Sequence, residues 1–156
     1  MLNEKMYLEY KDILENSEGD ILDFRVYKGS AFAHLVKLAK EYERHAIGMD
    51  TFNGLDVPSP MDKVGKFCQY PKGYAKASPD LVRSAVHKAC GGNAPYELYE
   101  GKVTDIVANL CDRKFALAVI DLFHYYPTKS AIEYAFSKLA DGGGGGGGCA
   151  DAWGCT

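Results

Sequence analysis

Two aspartates and a glycine mark the place where this chain could do chemistry. Asp23 closes the apolar run Ile21-Leu22, Asp50 closes Ala46-Ile47-Gly48-Met49, and Val26-Tyr27-Lys28-Gly29-Ser30 turns the chain between them. Gly29 allows backbone N–H groups to approach a ligand at the start of the following helix, where the amides lack helical partners. Carboxylates at the carboxyl ends of neighbouring strands accept hydrogen bonds from an amino group or a ribose diol. The pattern is that of a nucleotide-like cofactor site. No Gly-x-Gly-x-x-Gly follows the first strand, which counts against a nicotinamide-dependent dehydrogenase.

These residues need a sheet to hold them. Leu2, Met6, Tyr10 and Ile13 or Leu14 recur at helical spacing and predict a lead-in helix over residues 3 to 16. Residues 21 to 24 read as the first strand, Ser30 to Glu43 as an amphipathic crossover helix, and His45 to Asp50 as the second strand. Residues 51 to 77 lack periodicity and read as a long loop that closes over a site. Ser78-Pro79-Asp80 supplies a hydroxyl cap, a first-position proline and a first-turn acid, opening a helix that runs to about Cys90. Tyr96 to Tyr99 is a short third strand, Val103 to Leu110 a short helix, and Phe115 to Ile120 an unbroken apolar strand of the kind buried on both faces. Thr128 to Leu139 is the last helix, with Ala131, Ile132, Ala135, Phe136 and Leu139 turned to the sheet. The alternation predicts an α/β, Rossmann-like, doubly wound and mainly parallel sheet with helices on both faces.

Composition narrows the partners. The chain has 156 residues, 18 basic and 21 acidic side chains and a net charge of −3, with no basic cluster longer than a pair. Nucleic acid and anionic membrane are poor partners for such a surface; a small-molecule acceptor is the better expectation. No apolar stretch reaches the length of a membrane span, and the N-terminus lacks the apolar core of a signal peptide, so a cytoplasmic protein is expected. Cys68, Cys90, Cys111, Cys149 and Cys155 form no Cys-x-x-Cys and are expected to be reduced thiols. His34, His45 and His87 have no second ligand at metal spacing.

Four blocks, ILDFRVYKGSA, AIGMDTFNGLDVP, YELYEGKVTDIV and AVIDLFHYYPTKSAIEYAFSKLADGG, taken in this order, resemble the macrocin-type sugar O-methyltransferases, a class I S-adenosylmethionine-dependent family. The resemblance covers most of residues 20 to 143. It implies S-adenosylmethionine as cofactor, usually Mg²⁺, and a sugar or other small-molecule hydroxyl as acceptor. By the same resemblance Asp23 matches the family's cofactor-site acid on the first strand, and Gly29 and Ser30 lie in the loop that wraps the cofactor's methionine part. Asp50 would hold the ribose hydroxyls, Thr51 and Phe52 lead towards the adenine, and Gly101 and Asp105 border it. Asp121 would be a metal ligand at the end of the fourth strand, and Asp151 a further one.

Three departures accompany the resemblance. Arg25 stands at a glycine position of the family pattern. Asp121-Leu122-Phe123 stands where the family has Asp-x-Asp, leaving His124 as the candidate base. Gly142 to Gly148 stand where a fifth strand and an acidic pair are expected. Glycine inside a strand costs about 0.5 to 1 kcal/mol relative to alanine, and each absent Val or Ile forgoes about 1.5 to 3 kcal/mol of burial. A native central strand of this sequence is therefore not expected. The tract reads as a replacement, with residues 1–141 a methyltransferase-like domain and 142–156 a glycine tract and tail that ends before the sheet's last strands. An edge left open after the fourth strand would invite a second copy of the chain. The alternative function is a degenerate, non-catalytic cofactor-binding or assembly domain.

Overall fold

The computed structural model describes residues 4–110 and 112–147. Helix α1 (Glu4–Asn16) leads into β1 (Asp20–Asp23), then α2 (Ser30–Glu41), β2 (Ala46–Asp50), a 3-10 turn at Pro60–Asp62 and α3 (Pro79–Cys90). The chain continues through β3 (Tyr96–Glu100), α4 (Val103–Asn109), β4 (Phe115–Ile120), α5 (Tyr125–Lys138) and β5 (Leu139–Gly147). All strand pairings are parallel and the sheet order is β3-β2-β1-β4-β5. The Rossmann-like, doubly wound sheet expected from the alternation is present. No helix among the described residues is long and apolar enough to cross a membrane.

Two cores sandwich the sheet. On one face α1 sets Tyr10 and Leu14, α2 sets Phe32, Leu35, Val36 and Leu38, and α3 sets Val82 and Val86 into a cluster with Ile21, Ala46 and Leu117. On the other, Val103 and Ile106 of α4 and Ala131 and Ala135 of α5 meet Leu22, Ile47, Met49, Phe115 and Ala118. Ile21 and Leu22 thus face opposite cores, as successive residues of a strand must. The central strands are buried on both sides, which is why their sequences are continuous apolar runs.

The glycine tract departs from expectation. Residues 139–147 form β5, with Leu117, Ala118, Val119 and Ile120 paired to Gly144, Gly145, Gly146 and Gly147. Backbone groups on the edge of β4 require partners whatever side chains the neighbour carries, and strand propensity does not count that requirement. The edge after β4 is consequently covered. Helix α1 also leans on the tract, since a Cβ on Gly144 would lie 2.6 Å from Ile13 Cδ1.

The last helix begins three residues earlier than expected, with Pro127 in its first turn, where a missing N–H costs nothing. Its inward stripe is narrower too. Ala131 and Ala135 are buried, whereas Ile132 is 36% and Phe136 71% exposed, correcting their assignment to the sheet-facing side. Small residues let α5 approach the sheet closely, and the bulky pair one position on is rotated off the contact.

Candidate functional site

The strand order reverses between β1 and β4, so the crevice where open α/β sheets bind ligands lies above the carboxyl ends of these two strands. Three carboxylates converge there: Asp23 ends β1, Asp50 ends β2 and Asp121 follows β4. Asp50 organises the loops around it. Its Oδ2 accepts the Tyr27 N–H at 2.8 Å and its Oδ1 the Phe52 N–H at 2.9 Å, while its main-chain oxygen accepts the Gly101 N–H at 2.9 Å. Tyr27 and Phe52 have φ of 48° and 56°, a left-handed conformation that bulky residues rarely adopt. Strain of that kind collects at ligand sites, where the surroundings over-determine the backbone.

Asp23 is 3% exposed, and burial pushes its carboxyl up to about 7. The Arg25 N–H, which it accepts at Oδ1 from 3.1 Å, and the Arg25 charge oppose that rise, whereas Asp121 and Asp50 add to it. Tyr10, which the periodicity marks only as an apolar-face residue, lies in the same field. Its phenol is buried without a hydrogen-bond partner among the described residues, and burial, followed by the charge of Asp23, raises it to about 12.

Arg25 reaches from the end of β1 to the residue that follows β4. Its Nη2 donates to Asp121 Oδ2 and its Nε to the Asp121 main-chain oxygen. The guanidinium lies 4.5 Å from the centre of the Phe123 ring and 5.6 Å from that of Tyr27. Phe123 is in turn stacked on Tyr70 at 4.3 Å and meets Tyr74 edge-on at 5.6 Å. Tyr70 and Tyr74 belong to the 51–77 loop, so the loop expected to close over the site docks on the β4–α5 link. The same docking holds His124. It is buried as the cap residue of α5, and its Nε2 donates to the Tyr70 carbonyl at 2.9 Å. That bond places a hydrogen on Nε2, because a carbonyl can only accept.

The other expected cofactor residues divide. Gly29 caps α2 at φ 85°, and a Cβ there would lie 2.7 Å from Val82 Cα, so close packing against α3 already demands glycine. Ser30 is exposed at the start of α2, and its carbonyl accepts from His34 Nδ1. Thr51 turns its hydroxyl to the Gly54 carbonyl at 3.0 Å, and Phe52 is buried. Gly101, at φ 151°, links β3 to α4, and Asp105 occupies the first turn of α4. Asp151 lies outside the described residues.

A divalent metal does not fit the donors that the described residues present. Asp121, its expected ligand, is ion-paired to Arg25, and among the described residues no three His, Cys, Asp or Glu side chains are placed to hold a metal ion. Two surface concavities, one bordered by Asp112, Arg113, Lys114 and Ser137 and the other by Glu18, Asp20, Glu43 and Arg44, sit at the amino ends of the strands. Neither touches the carboxylate cluster. What sequence reasoning missed is that Arg25 and Phe123 are one contact. The available signal was their joint departure from a single family pattern.

No family model matches this chain, and no curated protein matches its sequence. Solved structures do. The calicheamicin methyltransferase CalS11 superimposes with a TM-score of 0.69 at 24% identity, over 91% of this chain and 64% of that one. The O-methyltransferase NovP gives 0.72 at 15% identity, over 87% and 61%. An apo structure of CalS11, described as a TDP-rhamnose 3'-O-methyltransferase, gives 0.60 at 21% identity, over 91% and 63%. This chain spans less than two thirds of the length of each of these structures. At such identities the likeness establishes the shared fold: the chain has the α/β architecture found in these methyltransferase structures.

Proposed function

We propose that this chain binds S-adenosylmethionine above β1 and β2 and transfers its methyl group to a hydroxyl of a sugar or related small molecule. The observation that carries the reading is the placement of Asp23 and Asp50 on either side of the Gly29 turn, at the carboxyl ends of β1 and β2 and next to the reversal point between β1 and β4, in a fold shared with CalS11 and NovP. Asp50 is suited to a ribose diol, because each carboxylate oxygen retains a lone pair after accepting one backbone N–H. The cofactor, when bound, supplies an electrophilic methyl group on sulfur. The protein's task is to align the acceptor oxygen behind that carbon, since an in-line displacement depends on positioning. The acceptor must also lose a proton. His124 would take it through Nδ1, with Nε2 already committed to Tyr70.

Titration calorimetry with S-adenosylmethionine and S-adenosylhomocysteine tests the reading. Saturable binding that is lost in Asp50→Ala supports it, and no heat at millimolar cofactor ends it. Transfer is then assayed with nucleotide-linked deoxysugars as acceptors, the class that the CalS11 description names. A second reading, a cofactor-binding domain without turnover, is favoured by the Arg25–Asp121 pair and by the clamped His124 ring. Binding with no methyl transfer to any acceptor would select it.

A further inference from the structure

We propose that Arg25 is the resident cation of the strand-end crevice, occupying at Asp121 the place that a divalent metal would otherwise take, so that ligand binding here is independent of metal. The inference deepens the proposed function in one respect, since a metal is expected only by the resemblance to metal-using methyltransferases. Its geometric basis is separate from that reading.

Three carboxylates at the ends of adjacent parallel strands create a negative field that calls for a counter-charge. The buried Asp23 carboxyl feels the charges of both Asp50 and Asp121. The chain answers with a guanidinium attached to the β1–α2 loop. Nη2 and Nε of Arg25 take Oδ2 of the carboxylate and the main-chain oxygen of Asp121, so the charge of the expected metal ligand is already paired. The Arg25 backbone N–H holds Asp23 as well, so one residue ties β1 to β4 across the reversal point.

The surroundings are built for this head group. The Arg25 side chain is 16% exposed, and Phe123 and Tyr27 offer it aromatic ring faces. A guanidinium is more weakly hydrated than an ammonium and pairs with planar rings, whereas a divalent ion prefers additional oxygen ligands. Phe123 is an unsuitable neighbour for a metal and a suitable one for arginine. Two departures that look like separate losses, glycine to Arg25 and aspartate to Phe123, therefore form one contact: a covalent cation pairs with Asp121 and rests on the aromatic ring two residues on. Arginine stays charged at any pH at which the protein is folded, so the counter-charge cannot dissociate.

The test uses the full chain. Thermal unfolding of the wild-type protein is measured in EDTA and in excess Mg²⁺, and Mn²⁺ is titrated by electron paramagnetic resonance into the wild type, Arg25→Gln and Arg25→Gln/Asp121→Asn. The expected result is an unchanged wild-type midpoint and Mn²⁺ affinity about tenfold higher in Arg25→Gln than in the wild type, equivalent to about 1.4 kcal/mol. The double variant should lose that gain. A midpoint raised by Mg²⁺ in the wild type, or equal Mn²⁺ binding by the wild type and Arg25→Gln, overturns the proposal. The wild-type measurement decides alone where Arg25→Gln does not fold. Calorimetry with S-adenosylmethionine in EDTA and in excess Mg²⁺ separates the two readings. Cofactor binding absent both in EDTA and in excess Mg²⁺ removes the proposed function and leaves the cation assignment to the Mn²⁺ result, whereas binding seen in Mg²⁺ and lost in EDTA removes the cation assignment and leaves the function.

Discussion

Tyr70 stacks on Phe123 with ring centres 4.3 Å apart and an interplanar angle of 25°, and this contact fastens the 51–77 loop over the link between β4 and α5. The Tyr70 carbonyl reinforces it by accepting from His124, and Asp62 accepts the Tyr125 N–H at 2.6 Å from the same loop. Exposed Val57, Met61, Val64 and Phe67 show that the rest of the loop buries little of its own apolar surface. Its attachment therefore depends on few contacts. Tyr70→Ala removes a stacked pair worth about 0.5 to 1.5 kcal/mol. Amide hydrogen exchange should accelerate across residues 60–77 while the sheet keeps its protection; unchanged exchange in the loop would contradict the lid role.

Asp23 gives the protein a pH dependence whose sign follows from burial. Its folded-state value of about 7 lies above the ordinary 3.8. Below about pH 4 the carboxyl is protonated in both states and burial carries no charge penalty. As pH rises from there towards 7 the unfolded chain ionises while the folded one keeps its proton, so stability falls; above that range the loss is complete at roughly 4 kcal/mol. Asp23→Asn keeps an acceptor for the Arg25 N–H and removes the charge. Urea unfolding between pH 4 and 8 should show the variant gaining on the wild type as pH rises. A constant difference between the two would refute the assignment.

The sheet was legible because its central strands are apolar without interruption and its helices carry one-sided stripes. Asp23 and Asp50 were legible for a related reason, since a carboxylate at the end of an apolar run has only the strand terminus to occupy. What failed were inferences that require knowledge of the neighbours. Side-chain propensity argued against β5, whereas β4 offered it a ladder of backbone partners. Gly29 read as a cofactor glycine, yet Val82 excludes a Cβ there from another helix. Arg25 read only as a departure from a family glycine, whereas Asp121 and Phe123 receive its side chain.

Gly29→Ala should destabilise through two separate effects. The φ of 85° strains any residue with a Cβ, and the 2.7 Å approach is to the Cα of Val82, which cannot swing aside as a side chain can. Together these cost about 2 to 4 kcal/mol. Gly65→Ala is the control, because it shares a positive φ of 61° but has open space around it, leaving only about 1 to 2 kcal/mol of backbone strain. Chemical denaturation of the two variants checks the difference. Equal losses would mean that α3 moves away and that the packing account is wrong.

Asp50→Ala and Asp50→Asn separate structure from recognition at the strand-end acid. Alanine leaves the Tyr27 and Phe52 N–H groups without their acceptors and releases two backbones held at positive φ, for a loss of about 1 to 3 kcal/mol per unsatisfied donor. Asparagine retains one carbonyl oxygen, so it should preserve one of the two bonds and fall between alanine and the wild type in stability. For a ribose diol the ordering changes. Two hydroxyl donors need the charge and both oxygens of the carboxylate, and charge-assisted bonds are roughly twice as strong as neutral ones. Calorimetry on folded Asp50→Asn should therefore show cofactor binding reduced almost as far as in Asp50→Ala, although its unfolding midpoint is only partly lowered. If binding instead follows stability through the series, Asp50 serves the loops and the ribose is held elsewhere.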